Sequence, residues 1–469
     1  MFFSSTSKLG LVSLMMFLIS RTMAVYTCNE TVTCPESAPC CSQYGECGTG
    51  AYCLGGCDVR FSFNLSSCMP MPRMSSFETN FTDIDSVEIQ TEYLGNSSES
   101  DWVYTGWAAT HDDALLLQMP KNKSGTVLSS TKYLWYGKVS ATLKTSHDTG
   151  VITAFILYSD VKDEIDYEFV GYNLTSPQTN FYALGILNYT NAGNASSTDT
   201  FENWHDYELD WKEDSITWSI NGKQVRVLNK ADTWNETSKR YNFPQTPSRI
   251  QMSLWPGGGA GNGIGTIAWA GGAINWDSED IQQYGYYYAY LKSVSVEAYD
   301  LPDGVKSDGS KKASEYNAFL YNATGLVNED DVYLTNKKTW LGSNNATGFN
   351  PQNDKDPKVV SAKNKTSTIV TSSGSTKITK TTTIKDSTTS AKANVPQAMT
   401  TDVNTEAAET ETTSEFTGGF VQNSKQTATS SPNSDSSSGS SSNDSPTTTY
   451  KSIIGLTIGL AAGFVAFIA

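Results

Sequence analysis

The chain has 469 residues, enough for two or three domains, and its formal net charge is -16. This acidic balance excludes a nucleic-acid partner, because phosphate binding requires a basic face. The composition changes so strongly along the chain that its segments have to be interpreted separately.

Residues 1–24 have the pattern of a secretory signal. One lysine precedes an apolar stretch at residues 9–19, and the small-x-small cleavage pattern T-M-A follows at residues 22–24. The alternative is a short buried helix. A membrane-spanning helix is not expected, since about 11 apolar residues are too few to span a bilayer. We therefore predict a signal peptide and a secreted mature protein.

All eight cysteines lie between Cys28 and Cys68, inside a block at residues 25–70. An even number of cysteines in so short a block predicts a disulfide framework and an oxidising compartment. Recurrent N-x-S/T sequons agree with passage through the secretory pathway. They occur at Asn29, Asn64, Asn80, Asn96, Asn122, Asn173, Asn188, Asn194, Asn235, Asn322, Asn345 and Asn364.

The cysteine block contains the segment C-C-S-Q-Y-G-E-C-G, which begins at Cys40, and the pair Y-C shortly after it. This pattern resembles the hevein-type chitin-binding module. The resemblance implies that Ser42, Tyr44 and Tyr52 contact sugar. Glu46 departs from it, because active modules carry another aromatic residue there to stack on a sugar ring. Both chitin binding and a purely structural cap therefore stay open.

The same resemblance implies how the cysteines pair. Spacing alone does not establish the pairing, because eight cysteines allow about 105 combinations. Disulfides are needed because so small a module cannot build a sufficient core. A zinc site is not expected, since the block has no histidine. The implied pairs are Cys28 with Cys41, Cys34 with Cys47, Cys40 with Cys53, and Cys57 with Cys68.

The cysteine-free segment at residues 71–300 is the part of the chain that can form a large core. Apolar and polar residues alternate over residues 137–143, which is typical of a strand with one buried face. Residues 216–228 predict a hairpin with a tight turn at Asn221-Gly222. Many short strands without helical periodicity predict an all-β fold with two packed sheets.

The run D-E-I-D-Y-E-F at residues 163–169 places three carboxylates, Glu164, Asp166 and Glu168, on one face of a strand. Like charges only ~6.6 to 7 Å apart along a strand repel each other, and an ordinary solvent face would include Lys, Thr or Ser. A solvated acidic face or a calcium site is the alternative. We interpret the run as catalytic.

Retaining cleavage of a glycoside needs a nucleophilic carboxylate and a protonated acid ~5 to 5.5 Å apart. The α-carbons of Glu164 and Glu168 are ~13 Å apart on an extended strand, and two long Glu side chains can lean together over that gap. Asp166 lies between them and can share a proton with the nucleophile. Crowding should raise the pKa of one glutamate, so that it stays protonated as the acid.

D-E-I-D-Y-E-F resembles the signature of glycoside hydrolase family 16, and its surroundings resemble the fungal Crh branch, the chitin-to-glucan transglycosylases. The resemblance implies a β-jelly-roll, with Glu164 as nucleophile, Asp166 as its auxiliary and Glu168 as proton donor and general base. It implies no metal and no organic cofactor. The supporting segments are W-Y-G-K at Trp135, Q-T-N-F-Y at Gln178, W-H-D-Y-E-L-D-W at Trp204, Y-N-F-P-Q-T-P at Tyr241, L-W-P-G-G at Leu254 and G-T-I-A-W-A-G-G at Gly265.

The family also implies sugar contacts in the groove, where aromatic rings can stack on sugar rings. Each Trp among them could instead belong to the core. His205 is interpreted as a structural residue, because the carboxylates already provide attack and proton transfer. The implied substrate contacts are Glu168, Gln251, Trp255, Thr266 and Trp269.

Residues 301–445 are predicted to form a disordered Ser/Thr-rich stalk, because their composition cannot bury enough apolar surface to offset the entropy of ordering. Residues 446–469 end in an uncharged apolar tail, preceded by a cluster of small residues and a polar spacer. This pattern predicts a GPI-anchor signal that is removed in the mature protein. A retained transmembrane tail is the alternative.

Three functions stay open. The first is a wall transglycosylase that cleaves chitin and transfers it to β-glucan, with both polysaccharides as partners and a GPI lipid as anchor. The second is a retaining hydrolase, a chitinase or β-glucanase, that uses the same residues. The third is a non-catalytic chitin-binding wall protein. The predicted location is extracellular, in the cell wall and anchored to the plasma membrane.

Overall fold

The structure is a computed structural model that describes residues 26–325 and 327–351, together with the backbone of two later strands. The predicted signal peptide, the anchor signal and most of the predicted stalk lie outside the described residues. Across the part of the chain that is described, no helix has the length and apolar character needed to cross a membrane.

The described strands are short and numerous, and the two α-helices have six residues each. The helices are α1 Ile264–Trp269 and α2 Glu279–Tyr284. The strands are β1 Cys40–Cys41, β2 Cys47–Gly48, β3 Met71–Pro72, β4 Phe77–Asn80, β5 Val87–Ile89, β6 Trp102–Thr105, β7 Trp107–His111, β8 Ala114–Pro120, β9 Thr126–Ser130, β10 Gly137–Lys144, β11 Val151–Ser159, β12 Glu164–Val170, β13 Gln178–Tyr182, β14 Gly193–Asn194, β15 His205–Trp211, β16 Ser215–Ile220, β17 Lys223–Asn229, β18 Trp234–Asn235, β19 Arg240–Tyr241, β20 Ser248–Pro256, β21 Tyr286–Ala298, β22 Lys306–Ser307, β23 Ala318–Tyr321, β24 Val332–Thr335, β25 Ser367–Ser373 and β26 Thr376–Thr382.

Two large, mostly antiparallel sheets form a sandwich. The front sheet has the order β14-β13-β12-β11-β20-β9-β6-β5. The back sheet has the order β17-β16-β15-β10-β21-β8-β7, with β4 beside β21 and the pair β25-β26 beyond β7. The predicted all-β jelly-roll sandwich is therefore confirmed.

The core lies between the two sheets because apolar side chains alternate along the strands. On β10, Val139, Ala141 and Leu143 are buried while the residues between them are partly exposed, as the sequence predicts. From the front sheet, the Tyr167 ring meets the Tyr207 ring of the back sheet at 5.2 Å between centroids. The sheets are thus joined directly behind the acidic strand.

The predicted hairpin is formed by β16 and β17, which pair antiparallel across Asn221 and Gly222. Both turn residues have positive φ, 51° and 73°. A two-residue primed turn requires this conformation, and Asn followed by Gly adopts it at low cost. The hairpin prediction is confirmed.

The cysteine block folds as a compact unit, which we call the module (residues 26–70). Its four disulfides join the pairs that the hevein resemblance implies: Cys28–Cys41, Cys34–Cys47, Cys40–Cys53 and Cys57–Cys68.

The chain stays folded beyond residue 300, where the stalk was predicted to begin. Strands β22, β24 and β23 form a small sheet with β3, in the order β22-β24-β23-β3. Phe319 of β23 is fully buried, and Tyr316 and Leu334 are nearly so. The low average hydrophobicity of this segment conceals that its few apolar residues are packed in the core. We call residues 313–351 the C-terminal extension.

Candidate active site

The acidic strand β12 lies inside the front sheet, paired with β11 on one side and β13 on the other. Ile165, Tyr167 and Phe169 point to the core and are 1%, 0% and 3% exposed. Because side chains alternate on a strand, Glu164, Asp166 and Glu168 share the opposite face. We call the strip of the front face around these three carboxylates the cleft.

The three carboxylates are much less exposed than an ordinary acidic strand face. Glu164 is 8% exposed, Asp166 0% and Glu168 5%. Isolating charge from water in this way is unfavourable unless the groups are protonated, paired or used. The burial therefore disfavours a solvated acidic face and agrees with a catalytic site.

Burial raises the pKa of both glutamates, but their neighbours act on them differently. Hydrogen bonding with Asp166 and the charge of Lys162 oppose the rise of the pKa of Glu164. Repulsion from Glu164 adds to the rise of the pKa of Glu168. Burial and both glutamates raise the pKa of Asp166 well above its usual range. Glu168 is thus the glutamate that retains its proton, and Glu164 the one that ionises first.

Asp163 belongs to the acidic run but has a structural role. Its carboxylate points away from the cleft and is 1% exposed. It accepts hydrogen bonds from the Leu184 amide at 2.8 Å, the Gln245 amide at 2.9 Å, and the Thr246 amide and hydroxyl at 3.0 and 2.7 Å. This carboxylate holds two loops against the start of β12 and so fixes where Glu164 lies.

Replacing Asp163 by Asn is expected to lower the free energy of unfolding by about 2–4 kcal/mol. The amide nitrogen of Asn is a donor, and it would face buried N–H groups that now donate to the carboxylate. Chemical denaturation under non-reducing conditions would measure the change. Asp206→Asn, at an exposed position on the back sheet, is the matched control and should change stability little. Equal stability of the two variants would contradict the structural role.

Polar side chains on β13 complete the cleft. Tyr182, Asn180 and Gln178 lie directly opposite Glu164, Asp166 and Glu168, respectively. The Asn180 amide donates to the Tyr182 hydroxyl at 2.8 Å. The sequence analysis used Q-T-N-F-Y only as a family segment and assigned these residues no role. Their alternation of polar residues, matching that of β12, was the signal that could have found them.

Comparisons with known proteins agree with this geometry. The family described as Glycosyl hydrolases family 16 matches residues 76–271. The Crh-like protein UTR2 of Candida albicans is 60% identical over 411 residues, which cover 86% of this chain and 86% of that protein. The chain belongs to the Crh-like branch of glycoside hydrolase family 16.

A second curated Crh relative shows the same relationship. The Congo red hypersensitive protein 2 of Saccharomyces cerevisiae is 51% identical over 344 residues, which cover 73% of this chain and 72% of that protein. A solved structure of the Crh5 transglycosylase in complex with NAG is 24% identical and has a TM-score of 0.47, with 60% of this chain and all of that chain covered. Membership of this family makes the chain a glycoside hydrolase or transglycosylase.

The sugar contacts implied for this Crh-like chain lie on both sides of the carboxylates. Trp269, at the end of α1, is partly buried, and its indole N–H donates to Gln178 Oε1 at 2.8 Å, beside Glu168. Trp255 is only 1% exposed and stacks against Trp269 at 6.1 Å between ring centroids. Thr266 is 8% exposed. Of these residues, Trp269 has the ring that a sugar could reach.

Gln251 does not face an open groove. It is 1% exposed, and its amide Nε2 donates to Gln43 Oε1 of the module at 3.1 Å. The side chain that family resemblance implies for sugar binding is therefore already engaged by another part of the Crh-like chain.

His205 is a structural histidine, as predicted. It is 3% exposed, and its two ring nitrogens lie 2.9 Å from Asn221 Nδ2 and 3.2 Å from Thr198 Oγ1. Both of its hydrogen-bonding positions are used at the end of the back sheet, behind the cleft.

In the module, the three positions implied to contact chitin form one patch. Ser42 is 6% exposed, and its hydroxyl accepts from the Glu46 amide at 3.3 Å. The Tyr52 hydroxyl donates to Glu46 Oε2 at 3.5 Å. Burial raises the pKa of Tyr44 to about 12, while the nearby charge of Arg249 on β20 opposes the rise. Tyr44 therefore lies at the boundary between the module and the front sheet.

Proposed function

We propose that this chain is a cell-wall transglycosylase that cleaves chitin with retention and transfers the cleaved chain to β-glucan. The observation that carries the proposal is the buried set of Glu164, Asp166 and Glu168 on one face of β12. Membership of the Crh-like branch supports transfer over hydrolysis. The carboxylates alone do not separate the two, because water and sugar compete for one intermediate.

The reaction has two displacements at the anomeric carbon. In the first, a carboxylate oxygen of Glu164 attacks that carbon, and Glu168 gives its proton to the departing glycosidic oxygen. A covalent glycosyl-enzyme and a shortened chitin chain result. In the second, Glu168 as base takes the proton of a glucan hydroxyl, whose oxygen displaces Glu164.

Asp166 assists the first step by holding a proton toward Glu164. Its raised pKa favours the protonated form, which can donate a hydrogen bond to the neighbouring Glu164 carboxylate. This bond keeps Glu164 ionised, orients it, and stabilises it again when it departs as a leaving group in the second step. Glu168 contacts the substrate oxygen throughout, so it is both a catalytic and a substrate-binding residue.

Incubating the protein with a chitin oligosaccharide and a labelled β-glucan acceptor tests the proposal. Transfer predicts that the label moves into a longer product that a chitinase can shorten. Label found only on free acceptor, together with shortened chitin, would instead support the retaining hydrolase.

The pH dependence of kcat/KM is expected to be bell-shaped, with both limbs above the usual glutamate pKa of about 4.3. Activity needs Glu164 ionised and Glu168 protonated, and burial raises the pKa of both. The acid limb therefore follows Glu164 and the alkaline limb follows Glu168. A profile whose limbs lie at ordinary carboxyl pKa values would contradict this assignment.

The remaining segments fit a wall enzyme. We assign residues 1–24 to a signal peptide, 25–70 to the chitin-binding module, 71–300 to the catalytic sandwich, 301–351 to the folded segment that follows it, 383–445 to a stalk, and 446–469 to a GPI-anchor signal. The sequence patterns support this arrangement, which would deliver the enzyme to the wall and attach it to the plasma membrane. Release of the surface protein by a phospholipase specific for GPI anchors would test the last assignment.

A further inference from the structure

The module is packed on the catalytic sandwich through buried polar contacts. The Gly56 amide donates to Asp160 Oδ1, in the loop between β11 and β12, at 2.9 Å. Arg60 donates from Nη1 to the Leu184 carbonyl at 3.1 Å, just after β13. These loops lie at the Glu164 end of the cleft, so the module is fixed next to the nucleophile.

The C-terminal extension holds the module from another side. The Gly50 amide donates to the Ala346 carbonyl at 2.8 Å, and the Gly348 amide donates to the Ser67 carbonyl at 2.8 Å. The Phe63 and Phe349 rings lie 6.4 Å apart. With contacts to both the sandwich and the extension, the module has a defined position relative to the cleft.

Gln43 of the module contacts side chains on the outer face of the front sheet, on β20. Its Oε1 accepts a hydrogen bond from Arg249 Nη2 at 2.8 Å and another from Gln251 Nε2 at 3.1 Å. Gln251 on β20 is in register with Ile156 on β11, which is in register with Asp166 on β12. The part of the front sheet that Gln43 covers is therefore two strands, about 10 Å, from Asp166.

Gly55 explains why the module can approach the guanidinium of Arg249 so closely. A Cβ placed on Gly55 would lie 2.5 Å from Arg249 Nη1, so a glycine is what leaves room for the cation there. Arg249 is in register with Tyr158, and Tyr158 with Glu164. Arg249 thus connects the module to the row of side chains that contains the nucleophile.

Other module residues contact the front sheet farther from the carboxylates than Gln43 does. Ala51, Leu54 and Gly55 line a small cavity together with Val103 of β6 and Arg249. The module therefore lies over the front sheet from β20 toward β6, whereas β12 and β13 are on the other side of β11. A sugar chain that crosses the strands at the carboxylates is free to extend in one direction and is blocked in the other.

We propose that the Gln43 loop of the module is the end wall of the cleft, so that a chitin chain binds with only a short oligosaccharide segment on the β20 side of the cleavage point. The inference rests on the proposed action on chitin. Gln43 is a positioning residue that acts by holding Arg249 and Gln251 under the module. The module thereby sets the length of one of the two fragments into which the chain is cut.

The test uses the full secreted chain, chitin oligosaccharides of increasing length and a labelled β-glucan acceptor, with fragment lengths read by mass spectrometry. For the wild type, one fragment is expected to keep the same short length however long the donor becomes. Gln43→Ala removes the acceptor for Arg249 and Gln251. We expect this variant to lose the length cut-off, so that the short fragment becomes longer as the donor becomes longer. Fragments of unrestricted length from the wild type, or an unchanged cut-off in Gln43→Ala, would overturn the proposal.

Two further variants make the result specific. Gln43→Glu keeps an acceptor for both donors and should retain the cut-off, which a general loss of folding would not explain. Gln224→Ala, on an exposed position of the back sheet, should behave as the wild type. Fragment lengths can also be read from simple hydrolysis. If the labelled acceptor does not react, transfer to glucan is overturned. The proposal that the Gln43 loop limits fragment length can still be tested by hydrolysis.

Discussion

Glu164→Gln is expected to lower both cleavage of chitin oligosaccharides and transfer to glucan by at least about 10³-fold. The amide has nearly the same shape as the carboxylate but cannot form the glycosyl-enzyme. Product formation from a labelled donor would measure the loss. The matched control is Glu297→Gln, an exposed position on β21 of the back sheet, which should retain wild-type activity.

The same variant should melt no lower than the wild type at neutral pH. Burial raises the pKa of Glu164 in the folded chain. A raised pKa contributes stability that is present at low pH and is lost as the pH rises through the folded-state value. The amide of Glu164→Gln does not titrate, so the melting temperature of the variant should rise relative to that of the wild type as the pH increases. An inactive variant that melts much lower would show a folding defect instead of a lost nucleophile.

If the wild type and Glu164→Gln are equally inactive on every glycan tested, the non-catalytic wall protein becomes the better interpretation. Equal and substantial activity would contradict the role of Glu164.

Glu168→Gln is expected to lower activity on natural chitin oligosaccharides by about 10²–10⁴-fold, the usual contribution of a general acid. A donor with an activated aryl leaving group needs no protonation, so its first displacement should be far less affected. The variant also lacks the base for the second displacement. It should therefore release about one equivalent of the aryl alcohol per enzyme in a burst and then slow down.

Adding azide should restore turnover of the aryl donor by Glu168→Gln, because this nucleophile needs no base. Glu164→Gln should give no burst and no recovery, which distinguishes the two roles within one assay. Equal loss on natural and activated donors would contradict the assignment of Glu168 as the acid.

The sequence could predict the acidic strand because alternation determines which side chains share a face. Ile165, Tyr167 and Phe169 had to be buried together, and Glu164, Asp166 and Glu168 then had to face the other way. The hairpin at Asn221-Gly222 was predictable for a similar local reason, a turn that requires positive φ. Both predictions depend on near neighbours in the chain.

The relation of the module to the cleft could not be predicted in the same way. Gln43 is 206 residues from Arg249 and 208 from Gln251, and no periodicity connects them. Gln251 was interpreted as a sugar contact because the family resemblance implies one at that position. The family pattern contains no information on what an added module covers.

The folded extent of residues 301–351 was also missed. Composition averages a segment, whereas folding depends on where its few apolar residues end up. Phe319 pairs in register with Met71, just after the module, so strands far apart in the chain complete one small sheet. Such pairing of distant segments has no local signature in the sequence.

The C-terminal extension also determines how the protein would respond to mechanical force. At its C-terminal end the extension lies beside the module, where the Gly348 amide donates to the Ser67 carbonyl and the Phe349 ring lies near the Phe63 ring. Tension that reaches residue 351 along the chain would therefore load these module contacts before it reached β24 and β23 of the small sheet. A pull transmitted to that point would act first on the part of the molecule that borders the cleft.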